Sequence, residues 1–443
     1  MLELRGKYTT AKVFTDNCED EAIAQVTNII NSPEFADCQV RIMPDVHSGK
    51  GIVIGFSSTM SDYANPEHIG VDIGCGMKSI FFNKPLNNDD YALFEHRLLN
   101  QIPVGMNINV ARVIDEKEFL CFLNREIEKL YHKSNGMFNL IRFNSVDDID
   151  AWYKKFGMSP TVFWHSLGTL GSGNHFMEYG ESVDGSAYAF TVHTGSRNLG
   201  VKVFNYWNKI ATGDKAHKAE IKEITKEAKK EYSALHNGDM TGFSDYLQDK
   251  IETFKKTVHT GYLSEEPLKE YLTDMVVTQL YAAFNRKTIC RIAASIMNSI
   301  NDALVVDDIE SVHNYIDASD HVIRKGAIRS YVGEKMIIPF NMRDGLAICE
   351  GKSNDDWNCT APHGAGRLLS RSKAFATLNA DVFKKQMEDA GVYTTTANQS
   401  TLDEAPDAYK PFEEILELIK PTAVVLYLIK PKINIKGSEK RVF

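Results

Sequence analysis

GVDIGCGM, residues 70–77, sets the carboxylate of Asp72 three residues from the thiol of Cys75 on a backbone loosened by three glycines. A buried strand gains nothing from three glycines, and an exposed turn gains nothing from a thiol. The pattern points to side chains carried by a pliant backbone into a crowded site. GSGNHFMEYGESVDGSAYAFTVHTGSRNLG, residues 171–200, adds His175 and His193 on two β-like runs flanking Val183-Asp184-Gly185, a hairpin signal. A three-residue loop with Gly185 left-handed sets His175 directly opposite His193. A two-residue loop shifts the register and turns the rings to opposite faces. His313 in SVHNYID and His363 in APHGAGR stand in similar surroundings, whereas His132, His217 and His236 lie in ordinary polar or helical text.

A lone histidine is usually a packed or surface residue, but two opposed ones beside glycine-rich turns point to an ion. Asp72 and Cys75 offer oxygen and sulfur; His175, His193 and His313 offer nitrogen. Five donors exceed the four of a structural zinc site, which favours two ions sharing the thiolate. The mixed set suits manganese, cobalt, zinc or iron, and manganese, the weakest binder, depends on cellular supply.

HGAGR, residues 363–367, reads as a helix start whose free N–H groups face a phosphate. Arg367 and Arg371 would then lie one turn apart on one face as a clamp for further phosphate oxygens. His363 at the tip is a candidate nucleophile towards phosphorus, forming a phosphoramidate. The plainer alternative is an exposed histidine at a helix start. No GxxxxGK[ST] occurs, and GTLGSGNH (168–175) does not follow GxGxxG, which disfavours P-loop and Rossmann nucleotide sites.

The elements that must position these residues are mixed. Short β-rich runs (GIVIGFSS, KSIFF, SAYAFTVH) alternate with helical text such as DDYALFEHRLLNQI. Residues 214–262, opening DKAHKAEIKEITKEAKKEY, read as a charged helical insertion. Helices with apolar stripes follow over 266–303, then strands at HVIRKGAI, KMIIPF and GLAICE, a helix over about 366–390, and a closing strand at AVVLYLI. The fold class expected is α+β: one large body over residues 1–443, of mixed β-sheets flanked by helices, with 43% hydrophobic and 25% charged residues. No apolar run approaches the ~20 residues of a membrane span, and the N-terminus lacks a signal-peptide core. Seven scattered cysteines without a CxxC pair argue for a reducing cytoplasm. A net charge of −9 excludes a surface coated in positive charge for nucleic acid but not a local basic groove. Basic residues gather late, in RKGAIRS (324–330), GRLLSRSK (366–373) and KPKINIKGSEKR (430–441).

Taken together, MPDVHSGKG (43–51), GVDIGCGM, LGTLGSGNHFME (167–178), HTGSRNLG (193–200), HNY (313–315), RKGA (324–327), HGAGRLLSR (363–371), DEAPDAYK (403–410) and IKG (435–437) resemble the RtcB family of GTP- and manganese-dependent RNA-splicing ligases. The blocks keep the family's order over nearly the whole chain. The resemblance implies an enzyme of tRNA splicing or RNA repair, with no membrane and with room for an activating protein partner. It would join a 2′,3′-cyclic phosphate or 3′-phosphate RNA end to a 5′-hydroxyl end. It implies two Mn²⁺ ions, or zinc or cobalt in their place, on Asp72, Cys75, His175, His193 and His313, and His363 as the guanylated residue. By the same match Asn174, Glu178, Asn314, Asn341, Gly364, Ala365, Gly366, Tyr409 and Lys436 would hold GTP, and Arg197 and Arg367 would position phosphates. Asp45 in MPDVH would serve the chemistry or only the structure around it.

One block departs from the family. IPFNMRDGL (338–346) stands where relatives read IPGSMG with a further serine, so that Asn341 and Leu346 replace two nucleotide-contacting serines and Phe340 a glycine. Asparagine still hydrogen-bonds; leucine does not. Six residues also follow IKG, where relatives commonly end. The departure leaves open a metal-dependent RNA-end phosphoesterase or end-processing enzyme that no longer ligates. A non-enzymatic repair accessory would not need every ligand retained.

Overall fold

The computed structural model describes residues 1–213, 216–257 and 260–437, the side chains of 216–218, 256 and 257 excepted. Asp214 and Lys215, at the head of the expected insertion, the side chain of His217, and Ser438–Phe443, with the end of the C-terminal basic run, lie outside the described residues.

The architecture is α+β, as expected from the alternation of strand-like and helical text. Seven strands form an antiparallel sheet in the order Val305–Val312, Gly76–Phe82, Tyr188–Thr194, Phe176–Ser182, Ala423–Lys436, Gly345–Gly351, Lys335–Asn341. The sheet curls until its two edges meet. The Ile337 N–H donates to Ser311 Oγ at 2.9 Å, and Lys335 pairs with Asp307 at 3.0 Å. Curling turns one face inward and gives it a concave interior. A second sheet of six strands runs Leu2–Arg5, Thr10–Val13, Val40–His47, Ile54–Thr59, Val322–Lys325, Asn314–Ile316, with one parallel pair between Thr10–Val13 and Val40–His47.

Helix Glu265–Asn301, 37 residues long, crosses between these parts and is buried along much of its length. Its apolar residues supply both of the large cores, and its polar residues clamp the glycine-rich loops. Arg286, fully buried, donates to the carbonyls of Gly74 at 2.8 Å and Thr194 at 2.9 Å and pairs with Glu310 at 2.7 Å. Asn285 accepts from the Gly168 N–H at 2.7 Å. The central glycine of GVDIGCGM is explained here. Gly74 has φ +71°, and a Cβ there would lie 2.5 Å from the Gln279 backbone of this helix. The turn that carries Asp72 and Cys75 is pressed against the helix too closely for a side chain.

The hairpin differs from the expected register. Its loop is Val183–Ser186, four residues, closed by the Ser182 N–H donating to Ala187 O at 2.8 Å. Gly185 is left-handed as expected, at φ +71°. Phe176, not His175, therefore faces His193. The side chain of Asp184 accepts from Ser182 and Ser186 and stabilises the longer loop. His175 falls just before the strand, on a turn with left-handed Gly171 and Gly173, so strand alternation does not dictate where its ring points.

Helices Ala216–Leu235 and Phe243–Thr257 lie within residues 214–262 and pack on one another around Tyr232, Phe243 and Tyr246. The helix expected over 366–390 is two short ones, Arg371–Thr377 and Ala380–Asp389, each starting at its own side-chain cap, Ser370 and Asn379.

Candidate active site

Five donors come together. Cys75 Sγ lies 3.5 Å from His175 Nε2 and 3.4 Å from His193 Nε2. His175 Nε2 lies 3.0 Å from Asp72 Oδ2, and His193 Nε2 lies 3.2 Å from His313 Nε2. They make two overlapping groups, Cys75–His193–His313 and Asp72–Cys75–His175, each with its ligand atoms within 4.8 Å of one another. Cys75 belongs to both.

Burial raises the Cys75 thiol well above its ordinary range, with the neighbouring Asp72 charge adding to the rise. Burial drives His193 and His313 well below theirs, so both rings are neutral. Asp72 resists burial through its hydrogen bond and charge interaction with His175 and sits at about 2. An ionised carboxylate, a buried thiol and three imidazoles whose Nε2 atoms crowd together form a donor set that fits one or two divalent cations.

His363 stands at the edge of this cluster, its ring centroid 4.8 Å from that of His313. Its Nδ1–H donates to Asp45 Oδ2 at 2.7 Å, and its backbone N–H to the same oxygen at 3.1 Å. Asp45, fully buried on strand Val40–His47, thereby fixes ring and tautomer and leaves the lone pair on Nε2.

HGAGR does not open a helix. Strand Thr360–Pro362 ends at His363, Gly366 turns left-handed at φ +75° against the Asp45 carbonyl, and Arg367 bridges to Tyr409. The first helical residue is Arg371. Arg367 and Arg371 meet through carboxylates instead of a shared helix face. Arg367 Nη1 lies 3.2 Å from Glu404, and Arg371 Nη1 lies 3.2 Å from Asp403.

The loop closes one side of a cavity of about 360 Å³. Asp72, Cys75, His193, His313, Asn314 and His363 line it, as do Gly364, Ala365, Gly366, Arg367 and Tyr409. Asn174, Glu178 and Lys436 stand on the curled sheet and its entry turn, and Asn341 on the hairpin opposite. Two residues expected at the site do not line it. His175 joins the donor cluster through Asp72 and Cys75 without lining the cavity. Arg197 turns away, donating to Thr169 Oγ1 at 2.9 Å and Gly105 O at 2.8 Å.

The divergent hairpin also reads differently in three dimensions. Pro339, Phe340, Asn341 and Met342 line the cavity, but Leu346 pairs with Pro339 and is buried in the core with Phe176, Ile337 and Ile429. Its lost hydroxyl is not a lost cavity contact. The Asn341 amide is committed to its own turn, accepting from the Arg343 and Asp344 N–H groups, both at 2.9 Å, and donating to Asp344 at 2.7 Å.

The motifs by themselves did not reveal Glu404. Buried at 2% exposure, it accepts from Tyr409 at 2.5 Å and Lys436 at 2.9 Å and pairs with Arg367. Burial opposes its charge, yet Lys436 and the arginines hold it at about 2. An acid beside Asp403 in DEAPDAYK was the signal in the sequence. His47, whose Nδ1 lies 3.0 Å from the Asp45 carbonyl, and Asn434 also line the cavity unannounced.

Glu178 behaves in the opposite way. Burial lifts its carboxyl to about 8, with Asn434 and Lys436 only partly offsetting it. A carboxyl raised in the fold favours the native state fully below its unfolded value near 4.5, and that contribution is lost as pH rises through 8. Glu178→Gln is therefore expected to leave unfolding free energy nearly unchanged at pH 4.5 and to raise it at pH 8, by about 1.4 kcal/mol for each pH unit between the two. Denaturant unfolding at the two pH values measures this; equal effects at both would refute the burial of an ionisable carboxyl here.

Among the described residues, no helix is long and apolar enough to cross a membrane. The family model described as "tRNA-splicing ligase RtcB" matches residues 25–437. The RNA-splicing ligase RtcB of Escherichia coli K12 is 25% identical over 433 residues, 95% of each chain. The tRNA-splicing ligases RtcB of Archaeoglobus fulgidus, 24% identical over 90% of this chain and 87% of its own, and Methanococcus maripaludis, 22% identical over 97% and 94%, match at similar depth. A match of that extent, on a chain that gathers its scattered histidines, acids and Cys75 around one cavity, makes this protein a divergent member of the RtcB family.

Proposed function

We propose that the protein is an RNA ligase that joins a 2′,3′-cyclic phosphate or 3′-phosphate end to a 5′-hydroxyl end, with GTP as the activating nucleotide and a guanylated His363. The observation that carries this reading is the ring of His363, held by Asp45 through Nδ1 and set beside the donor cluster with Nε2 free of that bond. His363 Nε2 attacks the α-phosphate of GTP, forming a P–N bond as the P–O bond to pyrophosphate breaks. Asp45 stabilises the ring as it gains positive charge and prevents it from flipping. Water first opens a cyclic end, breaking the P–O2′ bond to leave a 3′-phosphate; the RNA 3′-phosphate then takes the GMP, releasing the histidine, and the 5′-hydroxyl displaces GMP to leave a phosphodiester.

Asp72, Cys75, His175, His193 and His313 would hold two manganese ions, with zinc or cobalt fitting the same donors. Bound there, the ions supply positive charge that stabilises phosphoryl oxygens. Tyr409, Lys436 and Arg367 line the same cavity, gathered by the buried Glu404, and two cationic side chains and a phenol suit a nucleotide. All seven cysteines are unpaired, which accords with a reducing, cytoplasmic setting.

Incubation with α-labelled GTP, Mn²⁺ and RNA carrying the two end types tests the proposal. Covalent label on the protein together with a joined product is the expected result. Metal-dependent opening of the cyclic phosphate with no label would instead establish an end-processing enzyme, the reading that the internal engagement of Asn341 favours. Asp45→Asn is expected to slow label formation by about 10²–10⁴-fold, because an amide also donates and no longer enforces the Nδ1–H tautomer. Metal content should be unchanged; single-turnover labelling and elemental analysis check the two halves.

A further inference from the structure

Two rows of side chains run across the inner face of the curled sheet. Met77, His193, Phe176 and Lys436 are successive partners on four neighbouring strands, and Ser79, Thr191, Glu178 and Asn434 form the next row. The first row holds a donor of the metal cluster and carries Lys436 4.9 Å from the Phe176 ring. The second is polar throughout, an expensive composition for a barrel interior unless each group is satisfied. Ser79 Oγ and Thr191 Oγ1 satisfy one another at 2.6 Å. Asn434 Nδ2 donates to Glu178 Oε2 at 2.7 Å. Among the described residues Glu178 Oε1 and Asn434 Oδ1 find no partner, although the two residues are only 2% and 1% exposed. Both line the cavity.

With Glu178 ionised, its Oε1 and Asn434 Oδ1 are two buried, unpartnered acceptors on neighbouring strands, and they call for a ligand edge bearing two adjacent N–H donors. Guanine has that edge, its imide N–H beside the 2-amino group. Hypoxanthine keeps the imide and lacks the amine, and adenine presents a lone pair where the imide proton would be. We propose that Asn434 is a specificity-determining residue for a 2-aminopurine nucleotide. Its Oδ1 accepts from the exocyclic amine, while its Nδ2 keeps Glu178 Oε2 engaged and leaves Oε1 for the ring imide. The inference rests on the nucleotide site proposed above and adds the group that reads the base.

Equilibrium binding to the full chain in Mn²⁺ tests it, titrating GTP, inosine triphosphate and ATP by calorimetry just above pH 8, where Glu178 is ionised. The native protein is expected to bind GTP about tenfold more tightly than inosine triphosphate, because the latter leaves Asn434 Oδ1 buried and unpaired, and ATP more weakly still. In Asn434→Val that preference falls to about twofold or less, chiefly by loosened GTP binding. Should the valine variant not fold, Asn434→Ser serves the same comparison. Equal native affinities for GTP and inosine triphosphate would overturn the proposal, as would a folded variant that binds both more weakly but keeps their ratio, the signature of a merely structural role. Binding does not require transfer to His363. A chain that selects GTP yet takes no covalent label refutes ligation and leaves this assignment standing, while failure to bind any of the three nucleotides ends the assignment itself.

Discussion

His363→Ala is expected to keep its metal and its GTP affinity while taking no label from α-labelled GTP and joining no RNA ends. The imidazole has an Nε2 lone pair that is both fixed by a partner at Nδ1 and set beside the donor cluster. Losing a covalent nucleophile lowers the rate by about 10³-fold or more. Alanine also strips the imidazole from Asp45, a fully buried carboxylate, leaving it the backbone N–H of residue 363, at a cost of about 1–3 kcal/mol in stability. A fall in activity could then be blamed on unfolding, so His363→Asn belongs beside it. Its amide can still donate to Asp45 but is no nucleophile. Both variants should be inactive, with the asparagine variant closer to native in thermal unfolding. Undiminished label on a folded His363→Asn chain would move the chemistry to another residue.

Cys75→Ala should lose metal and both partial activities together. Each donor group has three members, and Cys75 is the member they share, so its removal leaves two donors on each side. Loss of an outer-shell partner alone costs about 10–100-fold in metal affinity, and loss of a shared direct ligand should exceed that. Elemental analysis after dialysis is the direct readout. Native protein should retain metal that the variant does not, and neither GTP labelling nor opening of a cyclic phosphate should survive. The fold should persist, because the Cys75 side chain makes its polar contacts within the cluster while Arg286 holds the surrounding turn through backbone carbonyls. Full metal content in Cys75→Ala would contradict a shared site. Cys75→Ser, with an oxygen of similar size but poorer affinity for soft metals, should fall between the two.

Much of the site is legible in short stretches of sequence. The types of side chain able to ligate, the glycines that let a backbone crowd against a helix, and the left-handed Gly185 are properties of a few consecutive residues, and each appears where its local chemistry predicts. The assignment of strands at KSIFF, SAYAFTVH, KMIIPF and GLAICE has the same origin, since alternation and β-branched content act over one element. Register is not local. One additional residue in the loop displaces His175 from its expected partner, yet the ring still arrives because a glycine turn, not strand pairing, aims it.

What the amino-acid order determined by itself was an inventory: which donors exist, which is the candidate nucleophile, and that an α+β body carries them. Only the tertiary structure decided how they are used. Asp45 grips His363 from 318 residues away, Glu404 gathers Arg367, Tyr409 and Lys436, and Leu346 faces the core instead of the cavity. HGAGR became a loop because Gly366 lies against Asp45. Side-chain chemistry and backbone freedom belong to a residue and its neighbours; partnership, burial and the field around a charge come from atoms that the chain brings near only by folding.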